Sequence, residues 1–287
     1  MQGTREKASR GTPDFPLNVY KFKTDTVNVT YHWHPEIELV YIEKGGFTVT
    51  INGESFEACE GDIILVNGGE LHSMHRQGVE VCFRSVVFYP ELLDFANKNP
   101  FQRYVLEPLK KGRLCMPRRI TSEDECYQKL KKQFLRTVSA RKNDFPYAEQ
   151  IISLYEFLLV LYKEGLLLSS ESERAERDGV EVIKQAIAYI DEHISEKITL
   201  KELADSVNMS EKYFCSFFSK KTGSTPIEFV NHLRIEKACE MLKMHKTSVT
   251  EAAFETGFES LSYFIRRFKR QMGISPSQYK KQNLKNS

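Results

Sequence analysis

Thr199-Leu-Lys-Glu202-Leu-Ala204 and Ser210-Glu-Lys-Tyr213-Phe214, followed by Phe218, Gly223, Thr225-Pro226 and Phe229, are one half of a repeat. The other half is Ser248-Val-Thr-Glu251-Ala-Ala253 and Ser260-Leu-Ser-Tyr263-Phe264, followed by Phe268, Gly273, Ser275-Pro276 and Tyr279. From Ser210 onward the offset is fifty positions, and upstream it is forty-nine. The connecting turn of the second copy, Thr256-Gly257-Phe258-Glu259, has therefore gained one residue. A repeat at a fixed period is one supersecondary unit used twice.

Each copy opens with a capping box, Thr199-x-x-Glu202 or Ser248-x-x-Glu251, in which hydroxyl and carboxylate satisfy orphan N–H groups at a helix start. A short helix follows, with Ala204 or Ala253 small enough for a close crossing. After a tight turn, Ser210 or Ser260 caps a second helix that runs to a glycine, Gly223 or Gly273, the usual left-handed terminator. Two helices joined this way form a helix-turn-helix, whose second helix can enter the major groove of DNA. In the first copy Phe214, Phe217 and Phe218 define the buried face and Lys212, Cys215, Ser216 and Ser219 the outer one. In the second, Phe264 and Phe268 are core while Ser262, Ile265, Arg266 and Lys269 face out. The inward sets agree and the outward sets differ, as packing on one face and readout on the other would require.

Between the copies Thr225-Pro226-x-Glu228 starts a long helix, with proline at the tolerated first position. Ile227, Val230, Leu233, Ala238, Met241 and Leu242 fit its apolar stripe. About seventeen residues span about 25 Å, a stiff spacer between two readers whose centres on one duplex face should lie about 34 Å apart.

The last hundred residues resemble the DNA-binding domain of the AraC/XylS family of bacterial transcription regulators. The resemblance is carried by Ala252-Ala253-Phe254-Glu255-Thr256-Gly257-Phe258-Glu259-Ser260, by Tyr263-Phe264-Ile265-Arg266-Arg267-Phe268-Lys269, and by Gly273-Ile274-Ser275-Pro276-Ser277-Gln278-Tyr279. It implies base contacts from Lys212, Cys215 and Ser216 in the first reader and from Leu261, Ser262 and Arg266 in the second. Ser219, Lys220, Ile265, Lys269 and Arg270 complete the expected DNA-binding set. Cys215-Ser216 departs from many relatives, which carry longer polar side chains there. The partners implied are double-stranded promoter DNA, RNA polymerase and a small-molecule effector of the sugar or sugar-derivative class, with activation as the output.

Length and charge agree. At 287 residues with 41% hydrophobic residues, two domains with real cores are expected. From Val180 onward 17 lysines and arginines face 13 acidic residues, while the remainder is net −2. After Glu259 the charged residues are all basic: Arg266, Arg267, Lys269, Arg270, Lys280, Lys281 and Lys285. That places positive charge where phosphates would lie. The six cysteines show no C-x-x-C pair, so reduced and mostly buried thiols are expected. No apolar segment follows Arg5, Lys7 and Arg10, and the longest apolar run, Phe157 to Tyr162, is far short of a membrane span of ~20 residues. A cytoplasmic, soluble protein with no membrane partner is expected.

The N-terminal half reads as β. After a polar arm over residues 1–15, strand-like runs come at Val27–His34, Ile37–Glu43, Phe47–Ile51, Asp62–Val66 and Val79–Phe88. Asn52-Gly53 signals a type I′ hairpin. Many short strands with glycine turns argue for a sandwich or small barrel. Within them His32-x-His34-x-x-x-Glu38, Gly45, Gly61 and His72 resemble the two-part signature of the cupin superfamily, a jelly roll whose three histidines and glutamate can bind a divalent metal; Asn67 stands where that pattern has proline. Residues two apart share a face of a strand, so His32 and His34 can enter one cavity, with Glu38 and His72 joining them. The residue set is read as an effector pocket, with hydrogen bonding to a ligand or within the cluster as the plainer alternative to a metal. No catalytic residue and no cofactor is expected.

The chain is expected to be multidomain, β then α. Residues 1–90 form a cupin-like jelly-roll barrel, 91–168 a helical dimerisation segment, 169–179 a linker, and 180–287 an all-α domain with two helix-turn-helix motifs. The amphipathic stretches Glu91–Asn97, Pro100–Leu109 and Ser122–Arg141 precede Pro146–Leu168. In that last stretch Ile151, Leu154, Tyr155, Leu158, Leu161 and Tyr162 lie near a 3.5-residue seam suited to a homodimer or to packing on the barrel. The expected function is a ligand-responsive, sequence-specific transcription regulator acting on carbohydrate-related genes, not an enzyme. The alternative is a metal-dependent cupin enzyme or metal sensor with a DNA-binding tail.

Overall fold

The computed structural model describes residues 15–96, 99–140, 145–169, 174–243 and 247–284. The expected arm lies almost wholly outside them, as does Lys285. The chain divides into two compact units, one ending at Val180 and the other starting at Glu181.

The first unit is built on one curled antiparallel sheet. Its strands are β1 (Leu17–His32), β2 (Ile37–Lys44), β3 (Gly46–Ile51), β4 (Glu54–Cys59), β5 (Ile63–Val66) and β6 (His72–Phe88). The long β6 carries β1 along one edge; on its other edge it carries β3 at its start and β2 at its end. β3 then pairs with β4, and β2 with β5. The cupin-like expectation holds as a half-barrel. The β3–β4 turn is a two-residue hairpin in which Asn52 and Gly53 have φ of 51° and 88°, the left-handed pair that a I′ turn demands.

At β2 and β5 both faces of this sheet are buried, which is why these two strands read as nearly unbroken apolar runs. Ile37, Leu39 and Tyr41 of β2, with Ile63 and Leu65 of β5 and Val86 and Phe88 of β6, face outward to a helical layer. Val40, Ile42, Ile64, Val66, Val81 and Phe83 point to the hollow of the curl, where they meet Phe47, Val49 and Ile51. The helical layer is α2 (Tyr127–Ser139) and α3 (Pro146–Lys163). It follows a 3-10 turn at Pro90–Leu93, a π-type turn at Gln102–Leu106, α1 (Glu107–Lys110), and short strands β7 (Leu114–Cys115) and β8 (Arg119–Ile120). β8 extends the main sheet beside β5, and β7 pairs with β9 (Leu168–Ser169).

Several expectations are corrected. The first strand begins at Leu17, not Val27, and β4 was not foreseen. Of the seam on α3, Leu154, Leu158 and Leu161 are consumed by the core of this unit, Ile151 and Tyr155 pack against it, and Tyr162 is exposed. The stretch 169–179 is helical from Arg174, where α4 (Arg174–Glu192) starts: Arg, Ala and Glu are good helix formers, so polarity there does not mean coil.

The second unit contains the repeat. α5 (Leu200–Ser206) and α8 (Val249–Glu255) each carry a complete capping box. α6 (Glu211–Thr222) and α9 (Leu261–Met272) are capped by Ser210 and Ser260 and end on left-handed Gly223 and Gly273. α7 (Pro226–Lys243) lies between the copies, and α10 (Pro276–Leu284) follows. α7 has no single stripe because it serves two cores. Phe229 meets Phe218 of the first copy, with centroids 5.2 Å apart. Ile235, Ala238, Cys239 and Leu242 join Ala252, Ala253, Phe258, Phe264 and Phe268 of the second. Ile227, expected in the stripe, is exposed. Phe217, expected in the core, is only half-buried and stacks on exposed Tyr213 with centroids 6.1 Å apart.

Among the described residues the cysteines are free thiols, of which only Cys126 and Cys239 are buried, fewer than expected. No helix of the described residues is long and apolar enough to cross a membrane.

Candidate functional site

One ligand atom from each of His32, His34, Glu38 and His72 falls within a sphere of contacts no wider than 4.8 Å, inside the curl of the sheet. The four expected pocket residues are thus brought together, though not as strand alternation alone would do it. His32 is the last residue of β1, and His34 lies just beyond it in the turn into β2. Glu38 is the second residue of β2, and His72 opens β6, paired with His32. The imidazole centroids are 4.1 Å apart for His32–His72, 5.0 Å for His34–His72 and 5.5 Å for His32–His34.

The turn from Asn67 to Glu70 holds two of these residues in register. Gly69 N–H donates to the His34 carbonyl at 2.7 Å. A Cβ on Gly68 would sit 2.4 Å from the Pro35 carbonyl oxygen, so only glycine allows this approach. Asn67, in the place of the cupin proline, has a clear use. Its amide donates to the Met116 carbonyl at 3.2 Å and accepts from Met116 N–H at 2.8 Å, and its own N–H donates to Glu70 at 2.8 Å. Proline could make none of these bonds. They fasten the strand-like segment around Met116 to the rim of the site.

The ring nitrogens are sorted by their backbone partners. His34 Nδ1 lies 3.1 Å from the Glu36 carbonyl and His72 Nδ1 lies 2.9 Å from the Glu70 carbonyl. A carbonyl only accepts, so each Nδ1 donates to it, and each Nε2 is turned inward toward Glu38. Both Nε2 atoms lie 3.4 Å from Glu38 Oε2. His72 is fully buried, and its Nε2 makes no hydrogen bond although Glu38 Oε2 lies 3.4 Å away. Leaving such a group unsatisfied costs about 1–3 kcal/mol. Burial pushes the Glu38 carboxyl up, but the adjoining His34 and His72 imidazoles outweigh it and hold the group well below the usual carboxylate range. The carboxylate is also fixed from the other side, where Ser85 Oγ donates to Oε1 at 2.5 Å.

Three imidazoles converging on one buried carboxylate call for positive charge, on the rings or between them. Protonating every ring would crowd imidazolium ions at these short separations; one cation would satisfy all the donors together. Three imidazoles and a carboxylate suit Zn, Fe, Mn or Ni. The Nδ1-to-carbonyl bonds are the outer contacts that orient metal-binding histidines. The residues fit a divalent transition metal ion. Ser85 and Asn67 were not picked out as site residues in the sequence. Ser85 was legible as a polar residue at an inward position between Phe83 and Val87.

In the second unit, Lys212, Ser216 and Lys220 of α6 are exposed, and Cys215 and Ser219 are half-buried. On α9, Ser262, Ile265, Arg266, Lys269 and Arg270 are exposed, while Leu261 packs partly against the core of its own copy. The Arg266 guanidinium lies over the Tyr263 ring, 5.4 Å from its centroid, and Tyr263 Oη accepts from Asn231 Nδ2 at 3.3 Å. Arg266 is therefore supported on a braced platform. Lys280 is not a free member of the basic tail, since its ammonium donates to the Thr247 carbonyl at 2.8 Å.

Two family models match the chain: the AraC-like ligand binding domain over residues 19–137 and a helix-turn-helix domain over residues 203–282. The chain belongs to the AraC family of transcription regulators. Its AraC-type relatives include the uncharacterized HTH-type transcriptional regulator YdeC of Bacillus subtilis (strain 168), 28% identical and covering 98% of this chain and 97% of the relative. The HTH-type transcriptional activator RhaS of Escherichia coli O1:K1 / APEC is 22% identical, covering 85% of each. Among solved structures, ToxT from Vibrio cholerae aligns at 18% identity and a TM-score of 0.48, over 93% of this chain and 97% of that one. As an AraC-family member the chain is a ligand-responsive, DNA-binding regulator, and its family is one of regulators, not enzymes.

Proposed function

We propose that this AraC-type regulator switches transcription at promoter DNA in response to a small effector received by His32, His34, Glu38 and His72, and that a divalent transition metal ion is part of that receiving site. The observation carrying the proposal is the His72 Nε2 atom, fully buried, without a hydrogen bond and 3.4 Å from Glu38 Oε2. Such an ion would supply positive charge and open coordination positions; the imidazoles would hold it, Glu38 would neutralise part of its charge, and Ser85 would keep Glu38 turned inward.

The exposed faces of α6 and α9 carry the DNA contacts in this reading, through Lys212, Cys215, Ser216, Ser219 and Lys220 and through Leu261, Ser262, Ile265, Arg266, Lys269 and Arg270. Phosphate contacts would set affinity, and base contacts sequence choice. Activation, with contact to RNA polymerase, is the proposed output, supported by the activator named among the relatives. A sugar or sugar derivative is the effector class, with carbohydrate-related genes as its targets. A homodimer is proposed through exposed apolar side chains on α2 and α3, namely Leu135, Ile152 and Tyr162.

Elemental analysis of the full chain, purified without added metal, tests the site. One equivalent of a first-row metal is expected, lost in His72→Ala and Glu38→Ala variants that still unfold cooperatively. A wild-type protein that carries no metal, and whose melting temperature Zn(II) or Mn(II) leaves unmoved, would contradict it.

A further inference from the structure

Two polar side chains of α7, Asn231 and Arg234, reach toward the second reader. They lie at i and i+3, so they project from one side of the helix. Asn231 is buried, and its Nδ2 donates to the Ile227 carbonyl at 2.8 Å. A carbonyl only accepts, which fixes the amide with its nitrogen on that side. The second hydrogen of Nδ2 is left for Tyr263 Oη, 3.3 Å away. Arg234 donates to the carbonyls of Ile194 and Glu196 at 3.0 Å and 2.5 Å, and its guanidinium lies over the Phe258 ring, 5.9 Å from the centroid. Phe258 in turn packs on Tyr263, with centroids 6.1 Å apart. Tyr263 is thus held at its hydroxyl by Asn231 and at its ring by Phe258, and the Arg266 guanidinium rests on it.

The first reader repeats the tyrosine in a different setting. Fifty positions back, Tyr213 is 60% exposed and stacks on Phe217. One turn further, where Arg266 stands in the second copy, is Ser216. A serine hydroxyl sits on a short stem and needs no platform. Arginine has a long, flexible stem whose freedom is lost when its fork docks on a base edge. A guanidinium already laid out on a fixed ring loses less. The braced tyrosine belongs to the reader that carries the long cation.

The structure assigns Asn231 the role of a positioning residue for base readout: it fixes Tyr263, and Tyr263 fixes where the Arg266 fork can reach. The assignment rests on the reading of α9 as a DNA reader. Asn231 needs no contact with the duplex to act. Without its bond the Tyr263 ring is free to tilt, and Arg266 samples directions that favour no single base.

Competition binding of the full chain to the duplex it enriches from random sequence, and to single-base variants of that duplex, tests the assignment. Arg266→Ala marks the base pair that Arg266 reads. Tyr263→Phe keeps the ring and deletes the accepting oxygen, while Asn231→Ala deletes the donor. Each should lower the preference at that base pair by about three- to tenfold. Preference at the base pairs of the first reader, and affinity for a scrambled duplex, should stay at the wild-type level. In an Arg266→Ala background neither change should lower the preference further. Should Asn231→Ala melt too low to assay, Tyr263→Phe alone decides. A Tyr263→Phe variant with the wild-type preference overturns the assignment. So does a loss shared equally by all duplexes, the mark of a phosphate contact or a weakened fold, and so does a loss that persists in full without Arg266. If selection enriches no duplex, or Arg266→Ala changes no base preference, the reading of α9 itself fails and the positioning role falls with it.

Discussion

Asn67 shows how much a single departure from a motif can carry. Where the cupin pattern has proline, this chain places an amide that exchanges two hydrogen bonds with the buried backbone of Met116. Asn67→Ala would strand a buried N–H and C=O together, and the first unit should lose about 1–3 kcal/mol in urea denaturation. Asn67→Pro, which restores the motif, should be at least as damaging. That His32, His34, Glu38 and His72 come together was legible in the sequence because a short motif names them. Ser85 shows there only as an inward polar residue; that it meets Glu38 depends on the register of β2 against β6. No local pattern reports that.

At the scale of elements, the repeat was readable almost to the residue because caps and terminal glycines are local chemistry. The two connecting turns show where the copies part. Each places one residue in the left-handed region, Asn208 with φ 56° and Gly257 with φ 84°. Asparagine suffices in the first. In the second, a Cβ would lie 2.4 Å from the Ile194 carbonyl oxygen and close to Arg234, which itself donates to that carbonyl at 3.0 Å. Gly257→Ala should therefore destabilise the second unit by about 1–3 kcal/mol, measured by thermal or denaturant unfolding, while Asn208→Gly should be nearly silent. What the sequence hid at this scale was tertiary: Phe217 has helical core spacing, but neighbouring elements leave it half-open beside Tyr213.

The joint of α7 and α10 sets an alkaline limit. Burial pushes the Cys239 thiol from 9.0 up to about 12, and burial likewise pushes Tyr279 from 10.0 up to about 12. The folded unit keeps protons that the unfolded chain gives up first. Its stability is intact below pH 9 and should decline from there as pH rises toward 12. Cys239→Ala should shallow that decline in a pH series of denaturant midpoints. An unchanged slope would mean the thiol contributes nothing to it.

For the whole molecule, charge and architecture run together: a net-negative sensing half of β-sheet and helical cover, and a net-positive half of paired helix-turn-helix units. The change from β to α was legible from the strand-like runs and the repeat. The expected seam on α3 was not a free surface, because most of it is spent inside the first unit, and that leaves fewer side chains for a second copy than the heptad-like spacing suggested.

The central claim is that α6 and α9 together read a duplex through their exposed faces. Unbiased selection of random duplexes by the full chain, repeated with Arg266→Ala, tests it most directly. The wild type should enrich a two-block sequence whose affinity falls steeply with salt, and Arg266→Ala should lose preference in one block only, at about 1–3 kcal/mol. Selection that enriches no sequence, or an Arg266→Ala variant that recovers both blocks with undiminished affinity, would contradict it.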